Sequence, residues 1–126
     1  MDNLSPSEAR CALTTLFKEL SMSHKELIDR HMDAIVAGDL DTLLSDYDDR
    51  SVIVSVMGII EGAKAIRNMF ENIPAASFAG YQEINNAEHD NTYIVTWKTD
   101  MMAFATDTFV IEDNKIFRQT FAFHMG

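Results

Sequence analysis

Alternate residues of the segment Met102 to Glu112 read Ala103, Ala105, Asp107, Phe109 and Ile111, so one acid occupies a face that is otherwise small or apolar. Period-two spacing predicts a strand. A carboxyl on its buried face must find a partner or have its ionisation displaced by the cost of desolvating a charge. Either outcome serves chemistry, because a neutral carboxyl donates to a developing oxyanion and an ionised one takes a proton. A carboxylate satisfied by backbone N–H groups or by a lysine is the competing reading. His31 is the second such residue. Leu27, His31 and Ile35 recur at i, i+4 and i+8, which turns the imidazole inward on a helix. An inward histidine by itself is most often a core residue holding a hydrogen bond. Facing a carboxylate, it becomes an oriented acid or base. Gln119 is the third, set between Phe117 and Phe121 on a strand face that continues to Phe123; it is a hydrogen-bond anchor for the fold or for a ligand. Trp97 shares a face with Tyr93 and Val95, and aromatic rings with polar edges suit both a core and a small-molecule cavity.

Other chemistries lack their residues. His24, His31, His89 and His124 show no His-x-His or His-x-x-x-His spacing, and Cys11 is the single cysteine, so neither a metal nor any other cofactor is expected. No glycine-rich phosphate loop and no Gly-x-Ser-x-Gly elbow is present. Ten Lys and Arg against twenty Asp and Glu leave a formal net charge of −10, with no basic run to meet phosphate. The expectation is therefore no nucleic-acid partner and, on the same ground, no anionic membrane surface. No apolar run approaches the roughly 20 residues of a membrane span. The first residues, Met1 to Pro6, have neither a basic nor an apolar leader region. A cytoplasmic location is expected.

At 126 residues the chain has the length of one domain, and its order of elements must position these groups. Ser5-Pro6-Ser7-Glu8 reads as a helix start, with Ala9, Ala12, Leu13, Leu16, Phe17 and Leu20 at helical spacing. Ser23 and Glu26 repeat the capping signal before a stripe of Leu27, Ile28, His31, Met32, Ile35 and Val36 that ends at Gly38. Asp39 caps a short helix with Leu40, Leu43, Leu44 and Tyr47 inward. Val52 to Met57 reads as a strand, Gly58 to Gly62 as a turn or small strand, and Ala63 to Ile73 as a helix stopped by Pro74. Four strands are then expected: about 78–85, 92–100, 102–112 and 115–124, the last two joined by a tight turn at Asp113-Asn114. Helices followed by a strand meander predict an α+β fold. In the last strand, Phe117, Gln119, Phe121 and Phe123 make one face, and Ile116, Arg118, Thr120, Ala122 and His124 the other. A strand with so little polar face is covered on both sides, by the N-terminal helix or by a second copy of the chain.

Three spaced motifs resemble one family. The stretch from Arg30 to Tyr47 (RHMDAIVAGDLDTLLSDY) resembles the start of the nuclear transport factor 2-like superfamily, which includes SnoaL-like polyketide cyclases and ketosteroid isomerase. Gly62-Ala63-Lys64-Ala65-Ile66 is similar to its G-x-x-x-I helix start. Asp107 to Ile116 is similar to its D-x-F-x-x-x-D/N-G-K-I hairpin. The resemblance spans about residues 24 to 124. It implies a cone-shaped α+β barrel, with helices packed in a strongly curved antiparallel sheet, a deep apolar pocket for a small-molecule ligand, and a homodimer through the outer face of the sheet. Residues 1–22 would form a helical extension and 23–126 the SnoaL-like domain. Asp107 falls where the isomerase has the aspartic acid of its oxyanion hole, which is held protonated. His31 falls at its oxyanion-hole tyrosine, Phe70 at a supporting tyrosine, and Ser55 at the aspartate base. A serine does not abstract a proton from carbon unaided, so the isomerase route lacks its base. The replacement expected is a His31–Asp107 pair, in which Asp107 holds the imidazole and His31 acts on a mostly apolar ring substrate in an isomerase-, cyclase-, dehydratase- or hydrolase-like reaction. Gln119, Trp97, Ser55, Phe70, Phe123 and Tyr47 would line the ligand. A non-catalytic ligand-binding or dimerisation domain is the alternative.

Overall fold

Ser23 accepts from the Glu26 N–H at 3.1 Å while the Glu26 carboxylate accepts from the Ser23 N–H at 3.4 Å. This reciprocal box starts helix α1, His24–Ala37. Gly38 stops it in the left-handed region at φ 74°, its N–H bonded back to the Ala34 and Ile35 carbonyls. The chain is seen here as a computed structural model that describes residues 22–126. The helix expected over residues 5–20 and the extension assigned to 1–22 lie outside it, except for Met22, which packs against the core. Helix α1 buries Leu27, Ile28, His31 and Met32 as its stripe predicts. In the last turn the buried side moves to Ala34, and Val36, expected inward, is 41% exposed. Asp39 caps α2, Leu40–Leu44, by accepting from the Thr42 N–H.

Strand β1 (Val52–Ser55) is shorter than expected. The Ser55 hydroxyl accepts from the Met57 N–H at 3.1 Å and so closes a turn into β2 (Gly58–Glu61). Helix α3 (Gly62–Glu71) buries Ile66 and Phe70. The strand expected over 78–85 begins later. Ala75–Phe78 is a single 3₁₀ turn, and β3 runs Gln82–His89, straight through Asn85 and Asn86 with a bulge between Glu83 and Asn85. The bulge residue is Ile84, and the asparagines that suggested a break pair regularly with Thr96 and Val95. Strands β4 (Thr92–Lys98), β5 (Met102–Glu112) and β6 (Lys115–Met125) follow. Asp113 and Asn114 have φ of 53° and 60°, the positive pair a two-residue hairpin demands.

The six strands form one curved, open sheet in the order β2-β1-β6-β5-β4-β3. It is mixed rather than purely antiparallel, because β1 runs parallel to β6 while every other pair is antiparallel. The helices and the inner face of the sheet share one core that includes Leu27, Ile28, Ile53, Ile66, Val95 and Phe109. A second correction concerns β6. A register shift at Val110/Ile111 pairs Ile111 with Ile116 and Val110 with Arg118, leaving Phe117 unpaired. The bulge flips the alternation, so Ile116 is fully buried and the Phe117 ring lies under the Arg118 guanidinium, 4.0 Å from the ring centre. Beyond the bulge the expected face holds, with Gln119 buried and Phe121 and Phe123 half-buried. Among the described residues no helix is long and apolar enough to cross a membrane.

Candidate functional site

Strand register brings most of the polar residues together. On the inner face Ser55, Phe121, Asp107 and Val95 form one row across β1, β6, β5 and β4, and Ile53, Gln119, Phe109 and Tyr93 form the next. Gln119 and Trp97 are thereby diagonal neighbours of Asp107 on either side, within reach of its two oxygens. The Gln119 amide donates to Asp107 Oδ1 at 3.0 Å and the Trp97 indole N–H donates to Oδ2 at 2.8 Å. Trp97 is fixed in turn by near-parallel stacking on Phe121, with ring centres 6.1 Å apart. Helix α1 lowers His31 onto this face, and the turn after α2 brings Tyr47 between them. The Tyr47 hydroxyl lies 3.1 Å from His31 Nε2 and donates to Gln119 Oε1 at 2.5 Å.

The direct His31–Asp107 pair is not formed. The carboxylate that holds the imidazole is Asp46, whose Oδ2 lies 2.9 Å from His31 Nδ1 and whose Oδ1 accepts from the Arg30 guanidinium. Both ring nitrogens are thus taken, by Asp46 and by Tyr47, and His31 meets Asp107 only through Tyr47 and Gln119. The physical reason is reach: the α2 turn inserts the Tyr47 phenol between the helix and the strand that carry the two groups. The sequence reading missed Asp46 and Arg30. Asp46 stands among Asp41, Asp48 and Asp49, and such an acidic stretch reads as a solvated turn. Its signal was its place beside Tyr47, one residue from a position predicted inward, yet it is completely buried.

Asp107 borders a cavity of about 60 Å³, whose wall also includes Ser55, Phe70, Gln119, Phe121 and the His31 ring. That space holds a few waters or one small group. Pockets for drug-sized ligands measure roughly 300–1,000 Å³, several times this space. The rim is made of pliable or exposed side chains, Met69, Ile73, Phe78 and Met57, the last 67% exposed. Ser55, expected at the isomerase's base position, has its hydroxyl engaged in the β1–β2 turn, where it donates to the Gly58 carbonyl at 3.3 Å. Neither Phe123 nor Tyr47, both expected to line the ligand, borders the cavity: Phe123 stacks on Phe121 at 5.3 Å, and the Tyr47 hydroxyl is engaged by His31 and Gln119. Among the described residues no cluster of three His, Cys, Asp or Glu side chains comes together to hold a metal ion.

Burial raises the Asp107 carboxyl above its ordinary range; the hydrogen bonds from Trp97 and Gln119 and the nearby His31 oppose that rise without cancelling it. Tyr47 is pushed well above a free phenol by burial and by the charges of Asp107 and Asp46, so it keeps its proton. Asp107 is therefore a buried carboxyl with a raised ionisation on the wall of an apolar space, held at both oxygens by N–H donors.

No family model matches the chain, and no curated protein matches it. Solved structures do. An NTF-2 like protein of unknown function from Burkholderia xenovorans LB400 superposes with a TM-score of 0.72 at 20% identity, over 79% of this chain and 81% of that one. A SnoaL-like protein of unknown function from Burkholderia thailandensis E264 gives 0.70 at 17% identity, over 79% and 92%. A candidate polyketide cyclase from Sinorhizobium meliloti gives 0.63 at 19% identity, over 75% and 92%. At such identities the likeness is one of fold, which hosts many chemistries.

Proposed function

We propose, from the nuclear transport factor 2-like α+β cone that this chain has in common with those structures, that the protein is a small-molecule pocket whose working group is Asp107. Asp107 exchanges a proton with a mostly apolar, ring-shaped ligand in an isomerase-, cyclase-, dehydratase- or hydrolase-like step. One observation carries this reading. Asp107 is a buried carboxyl, anchored at both oxygens by Trp97 and Gln119, yet it forms part of the wall of an apolar cavity. His31 does not act on the ligand directly, because both of its nitrogens are occupied; it supports Asp107 from behind. The resemblance of fold to a candidate polyketide cyclase agrees with ring chemistry. Non-catalytic ligand binding is the second reading, favoured by the Ser55 hydroxyl being engaged in a turn. Cytoplasmic placement belongs to the same proposal.

Turnover of cyclic ketones, lactones and epoxides, with binding followed in parallel by protein NMR, separates these readings. For an enzyme, Asp107→Asn keeps the fold and cuts turnover by about 10²–10⁴-fold, the usual weight of a general acid or base. Ligand shifts without product in either protein make it a binding module. A compound turned over equally by both proteins removes Asp107 from the chemistry.

The outer face of the sheet supports a homodimer. Val54, Thr120, Thr108, Ile94 and Ala87 stand in one row across five strands, and Phe104 and Ile84 on the same sheet are about half exposed. Such a face needs a cover, and a second copy of the chain supplies one. Sedimentation equilibrium is expected to give twice the chain mass, reverting to the monomer in Ile94→Asp; a monomeric wild type at high micromolar concentration ends this part of the reading.

A further inference from the structure

The network around Asp107 obeys a strict proton count. Asp46 accepts from Arg30, so the hydrogen on its link to His31 belongs to Nδ1. Tyr47 has a single hydroxyl proton and spends it on Gln119 Oε1, which has none to give. Toward His31, Tyr47 is therefore an acceptor, and Nε2 must also carry a hydrogen. With the Gln119 amide oriented in this way, the count requires an imidazolium at one end. At the other end, Asp107 accepts from the Gln119 amide and from Trp97.

A second arrangement satisfies every link equally. Half a turn of the Gln119 amide presents its NH₂ to the Tyr47 oxygen and its carbonyl to Asp107. Tyr47 then donates to a bare Nε2, and Asp107 must supply a proton to the Gln119 carbonyl. His31 has lost one proton and Asp107 has gained one, so the total is unchanged. A mixed arrangement, with His31 neutral and Asp107 ionised, is one proton short and sets two acceptors against each other in a buried site, either the Gln119 carbonyl against Asp107 or the Tyr47 oxygen against a bare Nε2, which costs a full unmade hydrogen bond.

We propose that His31 and Asp107 hold one proton in common, and that the orientation of the Gln119 side-chain amide, read through Tyr47, decides which of them has it. Gln119 and Tyr47 are then positioning residues that set whether the cavity meets a carboxylate or a carboxylic acid. The raised ionisation of Tyr47 agrees, since the count requires the phenol to stay neutral. The titratable groups that bear on the network are Arg30, Asp46, His31, Tyr47 and Asp107. The idea deepens the reading of Asp107 as the working group and rests on it for its use in chemistry; its geometry stands without a ligand.

The test is NMR of the full chain at neutral pH, with histidine rings and glutamine amides labelled in nitrogen. In the wild type, when the Gln119 NH₂ protons lie against Asp107, the His31 Nε2 signal must be that of a protonated nitrogen. A bare Nε2 with that amide orientation overturns the proposal without any variant. In Asp107→Asn the Trp97 N–H claims the new side chain's oxygen, so its NH₂ faces Gln119 and dictates the second arrangement. The Gln119 amide protons are then expected against the Tyr47 ring, together with loss of the Nε2 proton. Adding Tyr47→Phe is expected to keep the turned amide and abolish the His31 response to Asp107→Asn. A His31 change without the amide turn, or one that persists without the Tyr47 hydroxyl, is through-space electrostatics and overturns the shared proton. No ligand is used, so this failure leaves the pocket reading standing, whereas failure to find turnover or binding leaves the proton count intact.

Discussion

Alanine in place of Asp46 is expected to cost about 3–5 kcal/mol of folding stability, the scale for removing one partner of a buried charge pair. Asp46 has no exposed surface, and its carboxylate receives His31 Nδ1 at 2.9 Å and the Arg30 guanidinium. Arg30 is 43% exposed and can turn to water, so its loss is small. His31 is 1% exposed and has nowhere to turn, and the penalty falls on its stranded N–H. The backbone is not the cause, since the Ile116 N–H still reaches the carbonyl of residue 46 at 2.7 Å. Asp46→Asn keeps an acceptor for the ring and is expected to cost about 1–2 kcal/mol. Urea unfolding of both variants at neutral pH, with an unchanged slope, measures the difference. A cost below about 1 kcal/mol for the alanine variant would show that His31 is anchored by something else.

Phe109→Ala is expected to be as severe, about 3–5 kcal/mol, out of the roughly 5–15 kcal/mol that holds such a domain folded. Phe109 is fully buried on β5, two residues from Asp107, with its ring edge-on to His31 at 5.5 Å and 79°. It also walls the cavity, so truncation adds its volume to the existing 60 Å³. A hole enlarged by the volume of a phenyl ring has room for benzene. Benzene should therefore raise the melting temperature of Phe109→Ala and leave the wild type unmoved. A variant of near wild-type stability with no response to benzene would mean that the surrounding side chains close over the gap.

Both effects turn on what could and could not be read along the chain. The caps at Ser23 and Asp39, the stop at Gly38 and the Asp113-Asn114 turn follow from local chemistry: each needs a side-chain oxygen or a positive φ within three residues of its target. The inward placing of His31, Asp107 and Gln119 follows from periodicity, because one face of each element is buried whatever it packs against. Bulges broke that logic. The extra residue at Phe117 reversed the faces of Ile116 and Phe117, and the one at Ile84 shifted the register of β3 just before two asparagines that pair regularly; neither bulge leaves a local mark.

The partners themselves were a tertiary matter. Sequence spacing turned His31 and Asp107 inward, but the turn after α2 sets Tyr47 against His31, and Tyr47 reaches the Gln119 that holds Asp107. Asp46 came to His31, and Gln119 to Asp107, through packing and strand register across 15 and 12 residues of chain. By itself, then, the sequence determined that His31, Asp107 and Gln119 are buried, since their burial follows periodicity along one element, whereas the burial of Asp46, on a turn with no period, came from packing. Which of them touch was decided only by the tertiary structure, because a hydrogen bond is made over about 3 Å and is set by how elements from different parts of the chain are brought together.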